Sequence, residues 1–107
     1  MNYLRQQYPE KAGRVKPLEG FTLVEQFLQE SLNAIYEADY VTAIDKCSRV
    51  LVIEEDNVTA LMRLGSAYYA LNRTELAEKY WKKVLVADPG NQDVKQFLDV
   101  IKEVKKQ

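Results

Sequence analysis

The feature that most constrains the fold is an internal repeat, because the chain resembles itself at a fixed spacing. The matched pairs are Ala43 with Ala77, Val50 with Val84, Leu51 with Leu85, and Asn57 with Asn91. This repeat period, about 34 residues, is typical of arrays in which one small supersecondary unit stacks on the next. We therefore predict a repeated unit that buries its apolar face against its neighbour.

The repeated unit is predicted to be a pair of helices. Apolar residues recur with the α-helical period in five segments, roughly 22–36, 40–53, 58–71, 74–87 and 92–105. We expect Asn57, Thr74 and Asn91 to cap the third, fourth and fifth helices, and Asn72 to close the third. No strand pattern is present in the sequence. These features predict an all-α protein with short loops and antiparallel neighbouring helices.

Helical spacing also predicts which residues of each helix face the core. In the first helix these are Val24, Phe27, Leu28, Leu32 and Ile35. In the fifth helix they are Val94, Phe97, Leu98, Ile101 and Val104. The third helix is apolar or small on nearly all sides, which indicates that neighbouring helices enclose it.

Residues 1–20 differ from the rest of the chain. Pro9, Gly13, Pro17 and Gly20 are spaced so that no long helix can form there. We predict an extended arm whose apolar residues cover the helices of its own chain or of a second copy; the alternative is a linker. Those apolar residues are Tyr3, Leu4, Tyr8, Val15 and Leu18.

The second copy of the repeat resembles the tetratricopeptide-repeat family. The matching residues are Leu61, Leu64, Gly65, Tyr68, Ala77, Trp81 and Pro89. Leu61 stands where the family usually has tryptophan, and Trp81 where it usually has phenylalanine. The resemblance implies two helix-turn-helix repeats and a C-terminal capping helix in an α-solenoid. The implied bounds are about 24–57, 58–91 and 92–107, within a domain that spans 21–107 and follows the arm.

The first copy departs further from the family. Ala43, Cys47 and Val50 fit its pattern, as does Phe27. The departures are Glu30 and Ser31 in place of Leu-Gly, Ala34 in place of tyrosine and Glu55 in place of proline.

Gly65 is unexpected in the middle of an apolar helix, because glycine there costs about 1 kcal/mol relative to alanine. In the family, the two helices of a repeat cross closely at this glycine. We therefore expect a close crossing at Gly65, with Tyr68 filling the space beside it.

Composition argues against catalysis, metal binding and nucleic-acid binding. The chain has 15 basic and 16 acidic residues and no histidine, so it lacks both a strong positive field and the commonest general base. Cys47 is the only cysteine and is expected to be a buried structural thiol. A single cysteine favours a reducing, cytoplasmic compartment; the alternative is a fragment of a larger exported or membrane-anchored protein. No apolar run approaches the roughly 20 residues needed to span a membrane. We expect no enzyme activity, no cofactor and no membrane insertion.

The resemblance implies a protein-interaction module. It places the ligand-facing residues at Leu28, Leu32, Tyr36, Met62, Arg63, Ser66 and Tyr69, beside Glu25, Ile35, Thr59 and Ala70. The family's clamp for acidic C-terminal tails uses lysine and asparagine, whereas Leu28, Leu32 and Phe97 stand at matching places here. We predict an apolar groove for a peptide or amphipathic helix of a partner protein. The alternative is a self-associating scaffold, such as a homodimer formed through the groove or the arm.

Overall fold

The computed structural model describes residues 22–106, which form five α-helices. They are α1 (Leu23–Tyr36), α2 (Tyr40–Ile53), α3 (Val58–Ala70), α4 (Thr74–Ala87) and α5 (Gln92–Lys106). The described residues contain no strand, and the all-α prediction is confirmed. The predicted arm at residues 1–20 and its proposed contacts lie outside the described residues.

The helices stack in chain order. Each helix packs against the next one, and α1 also contacts α3. The α1–α2 hairpin therefore lies beside the α3–α4 hairpin, and α5 closes the series against α4. This arrangement is a helical solenoid in which α1 and α3 are neighbours.

Side-chain caps start four of the five helices. Thr22 and Glu25 form a capping box, in which each backbone N–H donates to the other residue's side chain at 2.9 and 3.0 Å. Asp39 caps α2 through Thr42 N–H at 3.2 Å. The expected caps Asn57 and Asn91 each accept a backbone N–H at 2.9 Å.

The expected cap at Thr74 is wrong. The N-cap of α4 is Arg73, which makes no side-chain capping bond, and Thr74 is already the first helical residue. The cause is the tight turn before it, in which Arg73 N–H donates to the Tyr68 carbonyl at 2.8 Å. A cap must lie outside the helical conformation, so the turn fixes the cap one residue earlier than the side-chain types suggest.

Both helical hairpins turn through a residue in the left-handed conformation. Ala38 has φ 59° and Asn72 has φ 63°, and these two positions are separated by one repeat period. In the first turn Asp39 N–H donates to the Ala34 carbonyl at 2.8 Å, in the same geometry as the Arg73 bond. This is the helix-closing motif that glycine and asparagine favour, and alanine is the strained choice.

We expect Ala38→Gly to stabilise the protein by about 0.5 to 1 kcal/mol, because glycine adopts positive φ without the clash of a Cβ. Urea denaturation measures the change. Asn72→Gly is the matched control and should gain less, because asparagine already tolerates this conformation. A loss of stability in Ala38→Gly would show that the left-handed alanine carries no strain.

The core includes side chains at equivalent positions of the two hairpins. Ala43, Cys47 and Val50 are fully buried in α2, and their counterparts in α4 are Ala77, Trp81 and Val84. These residues form the inward faces of α2 and α4.

The predicted inward faces of α1 and α5 are confirmed except at Leu32 and Val104. On α1, Val24 is buried, and Phe27, Leu28 and Ile35 are partly buried against the core. The other buried residues of α1 are Ser31 and Ala34, which helical spacing of large apolar residues did not predict. Small residues occupy the centre of this contact because they allow the helices to approach, and the larger ones lie at its edge. On α5, Val94 and Ile101 are buried. Val104 is 48% exposed because no helix among the described residues covers that side of α5.

Candidate functional site

Gly65 lies directly beneath the Trp81 ring. A Cβ atom at Gly65 would stand 2.7 Å from Cε2 of Trp81 and still closer to Nε1 and Cδ1. The indole N–H donates to the Met62 carbonyl at 3.2 Å. The glycine therefore lets a large aromatic ring rest on the backbone of α3, and the resulting burial offsets the propensity cost of glycine.

The close approach expected at Gly65 is present, but a different residue fills the space. Tyr68, expected there, instead stacks on Tyr80, with ring centroids 5.7 Å apart and an 8° angle between the planes. Trp81 occupies the position over Gly65 because it is long enough to cross from α4.

At the equivalent positions, the first hairpin has a larger residue than glycine on α1 and a smaller residue than tryptophan on α2. Ser31 stands one repeat period before Gly65, and Cys47 stands one repeat period before Trp81. Both are fully buried, and the Ser31 hydroxyl donates to the Leu28 carbonyl at 2.7 Å. A serine side chain fits on α1 because the residue opposite it is small.

Cys47 is a structural thiol. Burial raises the pKa of its thiol, against the smaller opposing effects of the Ser31 hydrogen bond and the Arg63 charge. Because the reactive form is the thiolate, a raised pKa and full burial make this side chain a poor nucleophile.

Arg63 joins α1 to α3. One guanidinium nitrogen, NH1, donates to the Leu28 carbonyl at 2.7 Å and to the Ser31 hydroxyl at 3.2 Å. Arg63 is partly buried. The sequence resemblance placed Arg63 among the ligand-facing residues, and the structure places its guanidinium in the seam between two neighbouring helices.

The other predicted groove residues also lie on α1 and α3. Leu28, Leu32, Met62 and Ser66 are partly buried. Tyr36 and Tyr69 are 79% and 38% exposed. On α3 these residues lie opposite the buried ones, which are Ala60, Leu61, Leu64, Gly65 and Ala67. The predicted residues therefore lie on two helices that contact each other.

An aromatic column links this surface to α5. The Trp81 ring is 5.8 Å from the Tyr69 ring and 4.9 Å from the Phe97 ring, measured between centroids. Asn91, at the start of α5, donates to the Met62 sulfur at 3.6 Å. The sequence analysis treated α5 only as a cap, placed Val104 on its core face and did not single out Val100, whereas both valines are exposed. The repeat could have revealed them, because α5 starts one repeat period after α3.

Residues 22–106 offer neither a metal site nor a membrane-spanning helix. There, no group of three or more histidine, cysteine, aspartate or glutamate side chains is arranged to hold a metal ion. Nor is any helix in this range both long enough and apolar enough to cross a membrane.

Comparison with known proteins identifies the second hairpin. A model of the tetratricopeptide-repeat family matches residues 58–91, which include α3, α4 and the Gly65–Trp81 contact. Residues 58–91 form a tetratricopeptide repeat. Such repeats are non-catalytic modules that mediate protein–protein interaction.

Several curated proteins resemble the repeat region and its surroundings. The "Peptidyl-prolyl cis-trans isomerase FKBP4" of Homo sapiens is 34% identical over 64 residues, or 60% of this chain and 14% of that protein. The "DnaJ protein P58IPK homolog A" of Oryza sativa subsp. japonica is 36% identical over 58 residues, or 54% of this chain and 12% of that protein.

A third relative matches a longer stretch. The "Meiotically up-regulated gene 93 protein" of Schizosaccharomyces pombe is 29% identical over 83 residues, or 78% of this chain and 22% of that protein. The chain thus spans less than a quarter of the length of these relatives. The isomerase activity in the name of the Homo sapiens relative belongs to that protein as a whole.

Proposed function

We propose that the exposed side of α1 and α3 is a groove that binds a segment of a partner protein. The observation that carries this proposal is a set of apolar side chains on two adjacent helices that the other helices of residues 22–106 do not fully cover. Among them Tyr36 is 79% exposed and Tyr69 is 38% exposed. The proposed units are a first repeat at 24–57, the tetratricopeptide repeat at 58–91 and a capping helix at 92–107.

The chemistry of this surface favours an apolar ligand. Leu28, Leu32 and Met62 are partly buried and offer their remaining apolar surface to solvent. The Arg63 guanidinium already donates to the Leu28 carbonyl and the Ser31 hydroxyl, which weakens it as an anchor for a carboxylate. The occupant is therefore an amphipathic helix or an extended apolar segment, and an acidic C-terminal tail should bind poorly.

Tyr36→Asp tests the groove without disturbing the core, because Tyr36 is 79% exposed. We expect it to weaken binding of an amphipathic helical peptide by about tenfold, since a charge would replace an apolar contact. Isothermal titration calorimetry measures the affinity. Val52→Asp is the matched control, because Val52 is 87% exposed on α2 and should leave binding unchanged.

Two results would contradict the proposal. Equal losses in Tyr36→Asp and Val52→Asp would place the binding site elsewhere. Tight binding of an acidic C-terminal peptide, with no binding of the apolar helix, would reverse the predicted ligand chemistry. Sedimentation of the unliganded chain tests the alternative of a self-associating scaffold, in which the mass would exceed that of one chain and Tyr36→Asp would restore the monomer.

A further inference from the structure

The fifth helix continues the pattern of α1 and α3. Its first residue stands one repeat period after the first residue of α3, so α5 has the place of the first helix in a third unit. At this spacing Val100 corresponds to Leu32 and Ser66. Val104 corresponds in the same way to Tyr36 and Ala70. The proposed groove residues thus have counterparts on α5.

Contacts connect these counterparts to the groove. Trp81 touches both Tyr69 of α3 and Phe97 of α5. Val100 and Val104 follow Phe97 by three and seven residues, which puts all three on one stripe of the helix. The two valines are 52% and 48% exposed. The buried Trp81 ring thus lies between Tyr69 and Phe97, and the exposed apolar residues nearest it along these helices are Tyr69 on α3 and the two valines on α5.

Acidic side chains occupy α1 and α5 positions that correspond to one another or to a proposed groove residue. Glu25 on α1 and Asp93 on α5 occupy corresponding places, and Glu103 corresponds to Tyr69. All three carboxylates are on exposed residues. Glu103 also lies 3.6 Å from Lys106 Nζ, but both side chains are 73% exposed, so solvent weakens that pair. The cation on the groove side of α3 is Arg63, which is engaged with α1.

The length of the apolar stripe along α1 matches the diameter of a helix that lies across it. From Leu28 to Tyr36 the groove side of α1 rises about 12 Å, which equals the diameter of an α-helix with its side chains. An extended strand lying across α1 would place one row of side chains on this stripe and leave most of its length uncovered.

We propose that α5 completes the groove and that the occupant is an amphipathic helix of a partner protein, with lysine or arginine beside its apolar stripe. This inference rests on the proposed function. The acidic side chains at the edges of the groove attract the basic flanks, while Val100 and Val104 contact the end of the apolar stripe.

The test uses the full chain and two peptides of about 18 residues, or roughly 27 Å of helix. They share one apolar stripe, and its flanking positions carry lysine in one peptide and glutamate in the other. We expect the lysine peptide to bind about tenfold more tightly at low salt, with the difference shrinking as salt rises. Asp93→Asn combined with Glu103→Gln should remove most of the difference. Val100→Ser should weaken both peptides by about threefold.

The control is Glu55→Gln combined with Asp56→Asn, which makes the same charge change in the exposed α2–α3 loop and should preserve the tenfold preference. Thermal melts confirm that all variants are folded. Equal binding of both peptides, still sensitive to Tyr36→Asp, would overturn this inference and leave the proposed groove intact. Binding of neither peptide would overturn both. Self-association of the chain that Val100→Ser abolishes would make a second copy the occupant and overturn the basic-helix proposal.

Discussion

Gly65→Ala is expected to lower the free energy of unfolding by about 2 to 3 kcal/mol, which is large for the addition of one methyl group. The new Cβ would stand 2.7 Å from Cε2 of Trp81 and nearer still to its pyrrole edge. The ring is 4% exposed and held between Tyr69 and Phe97, so it cannot move aside without disturbing α3 and α5. In an open helix the same change would gain about 1 kcal/mol.

Gly90→Ala is the matched control for this prediction. A Cβ at Gly90 would meet nothing within 4 Å. We expect its unfolding free energy to change by less than about 0.5 kcal/mol. Thermal melts measure both variants, and Gly65→Ala should unfold roughly 10 °C lower than the parent. Small and equal shifts in the two variants would show that the indole has room over Gly65.

The helices could be predicted from the sequence because their signals are local. Apolar periodicity and the caps at Asn57 and Asn91 depend on residues within one or two turns of each other, and the structure confirms them. The error at Thr74 arose because the cap position is set by the turn before it. That turn depends on Asn72 adopting a left-handed conformation, which residue type favours but does not fix.

Packing between helices was harder to predict. The sequence marked Gly65 as a point of close approach, but whether Tyr68 or Trp81 covers it depends on side-chain conformations across two helices. On α1, apolar periodicity favoured Leu28, Leu32 and Ile35 as core. Leu28 and Ile35 do pack against the core, but periodicity did not identify Ser31 and Ala34. These two are more deeply buried because the distance between helices selects small residues at the centre of a contact.

The candidate groove was only partly predictable. Leu32, Met62 and Tyr69 were predicted as groove residues from the family resemblance. Helical spacing alone does not distinguish a residue at the edge of the core from one on a binding surface. Val104 was predicted to face the core, since an apolar stripe on a terminal helix is typical of a core face until its exposure is known, and Val100 was not singled out. The charge and shape of the ligand are proposed from the structure, because the stability of the fold does not constrain the residues that would contact a ligand.

The pairing of Gly65 with Trp81 predicts a strong energetic coupling. The first hairpin places Ser31 and Cys47 at the same two positions, so the fold accepts either a large ring over glycine or a small thiol opposite serine. Trp81→Cys alone should cost about 3 to 4 kcal/mol, because it leaves a cavity and removes the hydrogen bond to the Met62 carbonyl. Gly65→Ser alone should cost about 2 to 3 kcal/mol by colliding with the ring.

The double variant should be more stable than the sum of these losses implies, because serine no longer meets a ring and helps to fill the space that the ring leaves. Urea denaturation of the parent, the two single variants and the double variant gives the coupling free energy directly. We expect about 1.5 to 2.5 kcal/mol in favour of the double variant, near the upper end for residues in contact. Losses that add to within about 0.5 kcal/mol would mean that the two positions tolerate any combination of sizes. A measured coupling would instead establish that the sizes of the two side chains in each pair depend on each other. Ser31 with Cys47 in the first hairpin and Gly65 with Trp81 in the second would then be two combinations that fill equivalent space between helices.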